Sequence, residues 1–213
     1  MSSDSRLRQP AVAGLFYPSD PVALRQAVKE ALDQAIARTV PSPAPKAVIA
    51  PHAGYVYSGP VAATAYARLL PARGTIERVV LLGPAHRVPL SGVALSSAEA
   101  FATPLGEVAV DPEGREAVLK LPAVAVSDEA HVGEHSLEVH LPFIQVALGD
   151  VAVLPLAVGQ MPAADVADVL DAVWGGPETL VVLSSDLSHY HDQATATEMD
   201  RATAVAIEAC RPG

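Results

Sequence analysis

The chain has 213 residues, of which 50% are hydrophobic and 18% are charged, which is the composition of a folded globular domain and excludes a disordered chain. Its formal net charge of −10 repels phosphate backbones and anionic membrane surfaces, so the composition argues against nucleic-acid and membrane partners. Cys210 is the single cysteine, and the N-terminal stretch "MSSDSRLRQP" lacks the apolar core of a signal peptide. We therefore expect a cytoplasmic protein.

Helices and strands alternate in the first part of the chain. Asp20 is a good N-cap in front of Pro21, and it predicts a helix whose apolar residues recur at every fourth position, at Leu24, Val28, Leu32 and Ile36. The apolar run "AVIA" predicts a strand, and Ser58-Gly59-Pro60 predicts the start of a second helix. The next apolar runs, "RVVLLG" and "GVALSS", predict two further strands.

The second part of the chain continues this alternation. "FATPLGEVAVD" predicts a short hairpin or an edge excursion that turns around Pro104-Leu105-Gly106. Asp111-Pro112 caps a helix, and "AVAVS" predicts a strand. "SLEVHLPFIQVALG" predicts a helix that kinks at Pro142 or begins late, and the internal proline of "VAVLPLAVG" favours an edge or bulge position for that strand. A helix, the strand "TLVVLSS" and a terminal helix complete the pattern. It predicts an α/β fold with a mainly parallel sheet covered by helices on both faces.

Three of the predicted strands are followed by histidines. His52 follows "AVIA", His86 follows "RVVLLG", and the pair Asp186 and His189 follows "TLVVLSS". Ligands of open α/β sheets bind beyond the carboxyl ends of the strands, so these side chains are expected at one edge of the sheet. Imidazole is a good ligand for first-row metals and titrates near neutral pH, which favours a metal or acid–base site. Asp186 is expected either to orient one of these imidazoles or to cap the following turn.

A second histidine motif offers a different interpretation. His131, Glu134 and His135 match the H-x-x-E-H pattern of inverted zinc peptidases. That pattern needs a helix that places the two histidines one turn apart, and Gly133 weakens such a helix. A zinc peptidase is therefore the lesser alternative.

Five motifs occur together in one order along the chain: "APHAGYVYSG", "LLGPAHRVPLSGVALSS", "TPLGEVAVD", "EHSLEVHLPF" and "LSSDLSHY". In wording and order they resemble the Memo family, whose bacterial members are called AmmeMemoRadiSam system protein B. The resemblance extends from about Gly14 to the terminal helix. It implies one Memo-like α/β domain over residues 1–213, related in fold to the class III extradiol dioxygenases.

The resemblance also implies a metal site. By motif, His52 and His86 match the two metal histidines, and His189 matches a third pocket histidine with Asp186 beside it. The implied cofactor is iron(II) or copper, held by His52, His86 and His189, with His189 and Asp186 as the catalytic pair. The family's downstream "CGR" cysteine has no match here, because Cys210 lies in another context and the sequence ends at Gly213. We therefore expect a C-terminally short form.

Two functions of different classes follow from the resemblance. The first is a dioxygenase-like enzyme that carries out metal-dependent oxidation in a histidine pocket. The second is a non-catalytic module that binds a metal, a peptide or a small anion while it acts with partners in a modification system. The expected partners are a small molecule or peptide, together with radical-SAM proteins of that system.

Overall fold

A six-stranded sheet forms the centre of the structure, a computed structural model that describes residues 7–211. The strands of the whole structure are β1 Leu7–Arg8, β2 Ala47–Ala50, β3 Arg78–Pro84, β4 Val93–Leu95, β5 Ala100–Thr103, β6 Gly106–Ala109, β7 Val124–Val126, β8 Ala152–Val158 and β9 Thr179–Ser184. The central sheet has the order β2-β9-β3-β8-β4-β7. All of its neighbouring strands pair in parallel except β4 and β8, which are antiparallel. The prediction of a mainly parallel sheet is therefore confirmed.

Helices cover both faces of this sheet, as predicted. They are α1 Pro21–Ile36, α2 Tyr55–Ala67, α3 Pro112–Val118, α4 Glu129–Val132, α5 Leu141–Ala147, α6 Ala163–Val173 and α7 Gln193–Glu208, with short 3-10 turns at Leu70–Ala72 and Glu138–His140. Strand side chains alternate between the two faces, so Val79 and Leu81 of β3 pack with α1, α2 and α5. Val80 and Leu82 pack on the other face with α3 and α6.

Helix α1 begins where the sequence predicts. The Asp20 side chain accepts a hydrogen bond from the backbone N–H of Ala23 (2.8 Å), and Pro21 occupies the first turn. The predicted stripe is buried except at its end, where Ile36 is exposed and Ala35 is buried instead. A spacing of four residues exceeds the helical repeat of 3.6, so the stripe turns gradually away from the core.

Helix α2 begins earlier than predicted, whereas helix α5 begins late, as one of the two predictions for it had it. Helix α2 already begins at Tyr55, so the predicted start at Ser58-Gly59-Pro60 is wrong and Pro60 lies inside the helix. Pro60 is the sixth residue of the helix, and its missing N–H leaves the carbonyl of Val56, an exposed residue, without the usual helical partner. Helix α5 begins only at Leu141, so the prediction of a late start beside Pro142 is confirmed.

Strand β8 lies between β3 and β4, so the prediction that its proline marks a sheet edge or a bulge is wrong. On the side away from β3, the carbonyl of Val153 accepts a hydrogen bond from the N–H of Asp111 (2.8 Å), and Ala157 pairs with Ala94 of β4. Alternate residues of a strand bond to the same side, so Pro155 faces the gap between these two contacts. Its missing N–H therefore removes no bond from the ladder.

A second, three-stranded sheet has the order β1-β5-β6. Strands β5 and β6 form the predicted hairpin, and the turn is closed at Gly106, whose φ of 122° suits glycine.

No helix within residues 7–211 is long and apolar enough to cross a membrane. Residues 1–6, which include part of the stretch tested for a signal peptide, lie outside the described residues. The single domain over residues 1–213 stays a prediction.

Candidate metal centre

The carboxyl ends of three adjacent parallel strands meet at one edge of the central sheet. Strand β9 pairs with β2 on one side and with β3 on the other. His52 follows β2 by two residues, His86 follows β3 by two, and Asp186 follows β9 by two. The rings of His52 and His86 lie side by side, with 5.2 Å between their centroids. The shared edge predicted from the strand ends is thus present.

The third histidine at this position is His135. Its ring centroid lies 4.8 Å from that of His86 and 5.6 Å from that of His52. One ring nitrogen from each of the three residues lies within 4.8 Å of the others, which makes a histidine triplet. His135 belongs to no strand end, because it lies in the loop between α4 and the 3-10 turn at Glu138–His140.

His189 lies at the same edge but outside this triplet. Its side chain is 51% exposed, and its Nε2 is 3.9 Å from Oδ2 of Asp186. The same carboxylate oxygen is 3.7 Å from Nε2 of His52, so Asp186 stands between the two rings. The other oxygen of Asp186 accepts hydrogen bonds from the backbone N–H groups of His52 (2.5 Å) and Ala53 (3.1 Å). Asp186 therefore joins the loop after β9 to the loop after β2.

The ring of His52 is held in one tautomer. The Ser184 hydroxyl donates to the carbonyl of Ser136 (2.7 Å) and lies 2.6 Å from Nδ1 of His52. Because the hydroxyl proton is already used, Ser184 must accept a hydrogen bond from Nδ1–H. The lone pair of His52 is therefore on Nε2. Burial, opposed by the charge of Asp186, lowers the pKa of His52 to about 4, so the ring is neutral at pH 7.

Glu134 fixes the ring of His86 in the same way. Its carboxylate accepts hydrogen bonds from the backbone N–H of His86 (2.6 Å) and from Nδ1 of the same ring (3.0 Å). The N–H groups of His135 and Ser136 also donate to it, both at 2.9 Å. Burial opposes ionisation, but the hydrogen bonds from His86 and Ser136 lower the pKa of Glu134 to about 2. An ionised carboxylate on Nδ1 leaves the lone pair of His86 on Nε2 and makes the ring more basic.

His135 is the least constrained ring of the triplet. Its Nδ1 is buried and is 3.3 Å from Oε1 of Glu134, but it makes no aligned hydrogen bond with any described residue. Phe16 covers the ring from one side, with 4.7 Å between centroids. Burial, opposed by the charge of Glu134, lowers the pKa of His135. The rings of His52 and His135 can therefore offer lone pairs near neutral pH.

The loop that carries His135 approaches strand β3 very closely. A Cβ on Gly83 would lie 2.9 Å from both Oγ of Ser136 and Cδ2 of Leu137. The Ser136 hydroxyl also donates to the carbonyl of Pro84 (2.8 Å). Glycine in β3 thus lets this loop lie against the strand that leads to His86.

The donor set fits a first-row transition metal. Two rings are oriented by hydrogen bonds at Nδ1, as is usual for metal-bound histidines, and the third has an unpaired buried nitrogen. Three imidazoles suit iron, copper or zinc. One nitrogen of each ring lies within 4.8 Å of the other two, so His52, His86 and His135 would be the residues to hold such an ion after small side-chain rotations.

The H-x-x-E-H interpretation does not fit this geometry. Helix α4 ends at Val132, so His131 and His135 do not share a helical turn. His131 is buried, and its Nε2 lies 2.9 Å from the carbonyl of Ala94, outside the triplet. Glu134 lies outside helix α4, and its carboxylate accepts hydrogen bonds from His86.

Sequence reasoning expected His52 and His86 at this sheet edge, whereas it considered His135 only as part of the H-x-x-E-H pattern. Strand ends were the signal for the first two, and a loop residue lacks that signal. Besides the H-x-x-E-H match, the sequence signal for His135 was its place in "EHSLEVHLPF", one of the five motifs that occur together. The assignment of His189 as a metal ligand or proton carrier stays a prediction.

Fold and site together define an α/β protein with a histidine cluster at the carboxyl edge of a mainly parallel sheet. The family model for Memo-like proteins matches residues 8–212. The chain belongs to the Memo family.

Several relatives are similar in sequence to this chain over most of its length. A MEMO1 family protein of Methanothermobacter thermautotrophicus is 40% identical over 206 residues, which cover 92% of this chain and 74% of the relative. One from Aquifex aeolicus is 38% identical over 208 residues, covering 95% and 75%. One from Sulfolobus acidocaldarius is 38% identical over 211 residues, covering 91% and 74%.

Proposed function

We propose that this protein binds iron(II) or copper through His52, His86 and His135 and carries out a dioxygenase-like, metal-dependent oxidation. The observation that carries the proposal is the convergence of three imidazoles, two of which are locked with Nε2 as the free nitrogen. Iron(II) or copper held by a few protein ligands supplies open coordination positions and one-electron chemistry. The expected partner is a small molecule or peptide, with radical-SAM proteins as further partners.

His189 and Asp186 have the positions of a proton-handling pair. Nδ1 of His189 lies 2.9 Å from the carbonyl of Leu187, to which it donates, so Nε2 is free and faces Asp186. The exposed ring can exchange protons with solvent, and the carboxylate of Asp186 lies next to it. In this proposal, His189 gives or takes a proton at Nε2 beside the triplet, and Asp186 orients it.

Anaerobic calorimetric titration with iron(II), zinc and copper(I) tests the metal site. We expect His52→Ala, His86→Ala and His135→Ala each to weaken binding by more than the roughly 10–100-fold that changes behind the ligands produce. His191→Ala, which removes an exposed histidine, is the matched control and should bind as the parent does. Binding that survives all three substitutions would place the metal elsewhere.

Oxygen consumption separates the enzyme from a binding module. The iron-loaded protein should consume oxygen when a substrate of the right class is supplied, and His189→Gln should slow turnover while leaving the metal bound. If the metal binds tightly but no oxygen is consumed with any peptide or small-molecule library tested, the non-catalytic module is the better assignment.

A further inference from the structure

A buried ion pair lies directly behind the loop that carries His135. Arg8 of strand β1 and Glu138 of the 3-10 turn are both buried, with Glu138 at 0% exposure, and Nη1 of Arg8 donates to the Glu138 carboxylate. Burying two charges is costly and is often no more stable than apolar packing in the same space. This pair therefore calls for an explanation beyond stability.

The Arg8 guanidinium holds the loop at three points. Nε and Nη2 donate to the carbonyl of His131 (3.1 and 2.8 Å), and Nη2 also donates to the carbonyl of Glu134 (2.7 Å). With the bond to Glu138, the contacts lie on both sides of His135 in the sequence. A planar guanidinium offers five donors in a fixed fork, so one side chain sets the spacing of all three points.

Glu138 connects the same loop to the segment that covers the His135 ring. Its carboxylate accepts hydrogen bonds from the backbone N–H groups of Ala11 (2.7 Å) and Val12 (3.0 Å) and from the hydroxyl of Tyr17 (2.5 Å). Phe16, next to Tyr17, packs on the ring of His135. Both walls around His135, the loop behind it and the aromatic ring in front of it, thus depend on one carboxylate.

We propose that Arg8 and Glu138 are positioning residues that hold His135 in the histidine triplet. The inference rests on the proposed function, in which His135 is a metal ligand. His52 and His86 are fixed by hydrogen bonds to Nδ1, whereas the His135 ring has no such bond to a described residue. Its place is set through its backbone and its packing, and both are set by the Arg8–Glu138 pair.

The first test is a double-mutant cycle with zinc as the probe. Arg8→Lys keeps the charge but loses the fork, and it should weaken zinc binding about 10–100-fold, as changes behind a ligand do. In a His135→Ala background, the same substitution should change the affinity less than about twofold, because the residue through which Arg8 acts is gone. An equal loss in both backgrounds would overturn the proposal.

Arg78→Lys is the matched control for this cycle. Arg78 also forms an ion pair, with Asp111 at 3.2 Å, but it lies at the first residue of β3, at the opposite edge of the sheet from the triplet. Zinc affinity should be unchanged in this variant. A loss as large as that in Arg8→Lys would mean that any weakened ion pair produces the effect, which would also overturn the proposal.

A metal-free measurement separates this inference from the proposed function. In imidazole ¹H–¹⁵N spectra of the protein without metal, Arg8→Lys should shift the His135 signals and leave those of His191 in place. If the parent binds no metal, the proposed function fails, and the spectra still decide whether Arg8 positions His135. Unchanged His135 signals in folded Arg8→Lys would refute the positioning role.

Tyr17→Phe covers the case in which Arg8→Lys does not fold. It removes one hydrogen bond to Glu138 and keeps the aromatic ring, so it should shift the same His135 signals by a smaller amount. If this variant folds with unchanged His135 signals while Arg8→Lys is unfolded, the ion pair serves only folding and the proposal is wrong.

Discussion

The histidines of this chain differ in state because their surroundings differ. His52 and His86 each have one nitrogen hydrogen-bonded and one free at the cluster, whereas His189 is largely exposed. His140 is buried in the core, where its Nδ1 lies 2.9 Å from the hydroxyl of Tyr66. Burial, assisted by the nearby His52, lowers the pKa of His140 to about 3. Its ring therefore stays neutral in the folded protein at pH values where a free histidine is charged.

This neutral ring makes stability depend on pH. The unfolded chain takes up a proton at His140 near the ordinary pKa of about 6.5, whereas the folded chain does so only near 3. Between these values the unfolded state binds more protons, so the free energy of unfolding falls as the pH is lowered, by at most about 1.4 kcal/mol per pH unit for one group. His140→Gln should therefore lose less stability than the parent between pH 7 and pH 4.5, as measured by urea unfolding. His191→Gln should follow the parent, and an equal loss in His140→Gln and the parent would contradict the assignment.

For single helices and turns, the sequence correctly predicted the features that depend only on neighbouring residues. The caps at Asp20 and Asp111 and the turn at Gly106 have the predicted roles, because each depends on a few neighbouring backbone groups. Pro60 and Pro155 contradicted the predictions, because their effect depends on which distant groups face the missing N–H. His135 was not predicted beside His52 and His86 for the same reason, since tertiary contacts of its loop, not its local sequence, bring it there.

Helices α1 and α7 allow a matched comparison, since each has 16 residues. Helix α1 buries four residues, whereas none of the residues of α7, all of which are described, is buried. A helix of about this length is only marginally stable in water without tertiary packing.

We therefore expect the amide hydrogens of α7 to exchange with solvent orders of magnitude faster than those of α1. Hydrogen–deuterium exchange followed by mass spectrometry measures this directly, with α1 as the internal reference. Equal protection of the two helices would mean that α7 is covered by another molecule in solution.

For the whole molecule, the order of the strands affects the rate at which the central sheet forms. Strand β9 is the last strand within residues 7–211, yet it lies between β2 and β3, and its Val181 pairs with both Ala47 and Val80. Pairing between segments so far apart in sequence is slow, because the entropy of closing the loop is lost before the contacts form.

The single tryptophan reports on this step. Trp174 lies just before β9, and Nζ of Lys46, just before β2, is 5.4 Å from its ring centroid. In stopped-flow refolding, we expect the helical circular dichroism signal to recover before the native fluorescence of Trp174. Simultaneous recovery of the two signals would show that β9 enters at the same time as the helices form.

The same strand order means that a growing chain assembles the edge of the sheet around the histidine triplet late. His52 and His86 leave the ribosome long before β9, and at typical synthesis rates the interval between β2 and β9 is on the order of ten seconds. During that interval β2 and β3 lack the neighbour that holds them in register, and each has an unpaired edge that can bind another chain. Strand β9 joins β2 to β3 and so brings the two histidines together, and a chain interrupted before Thr179 would display exposed strands and separate imidazoles instead of the histidine triplet.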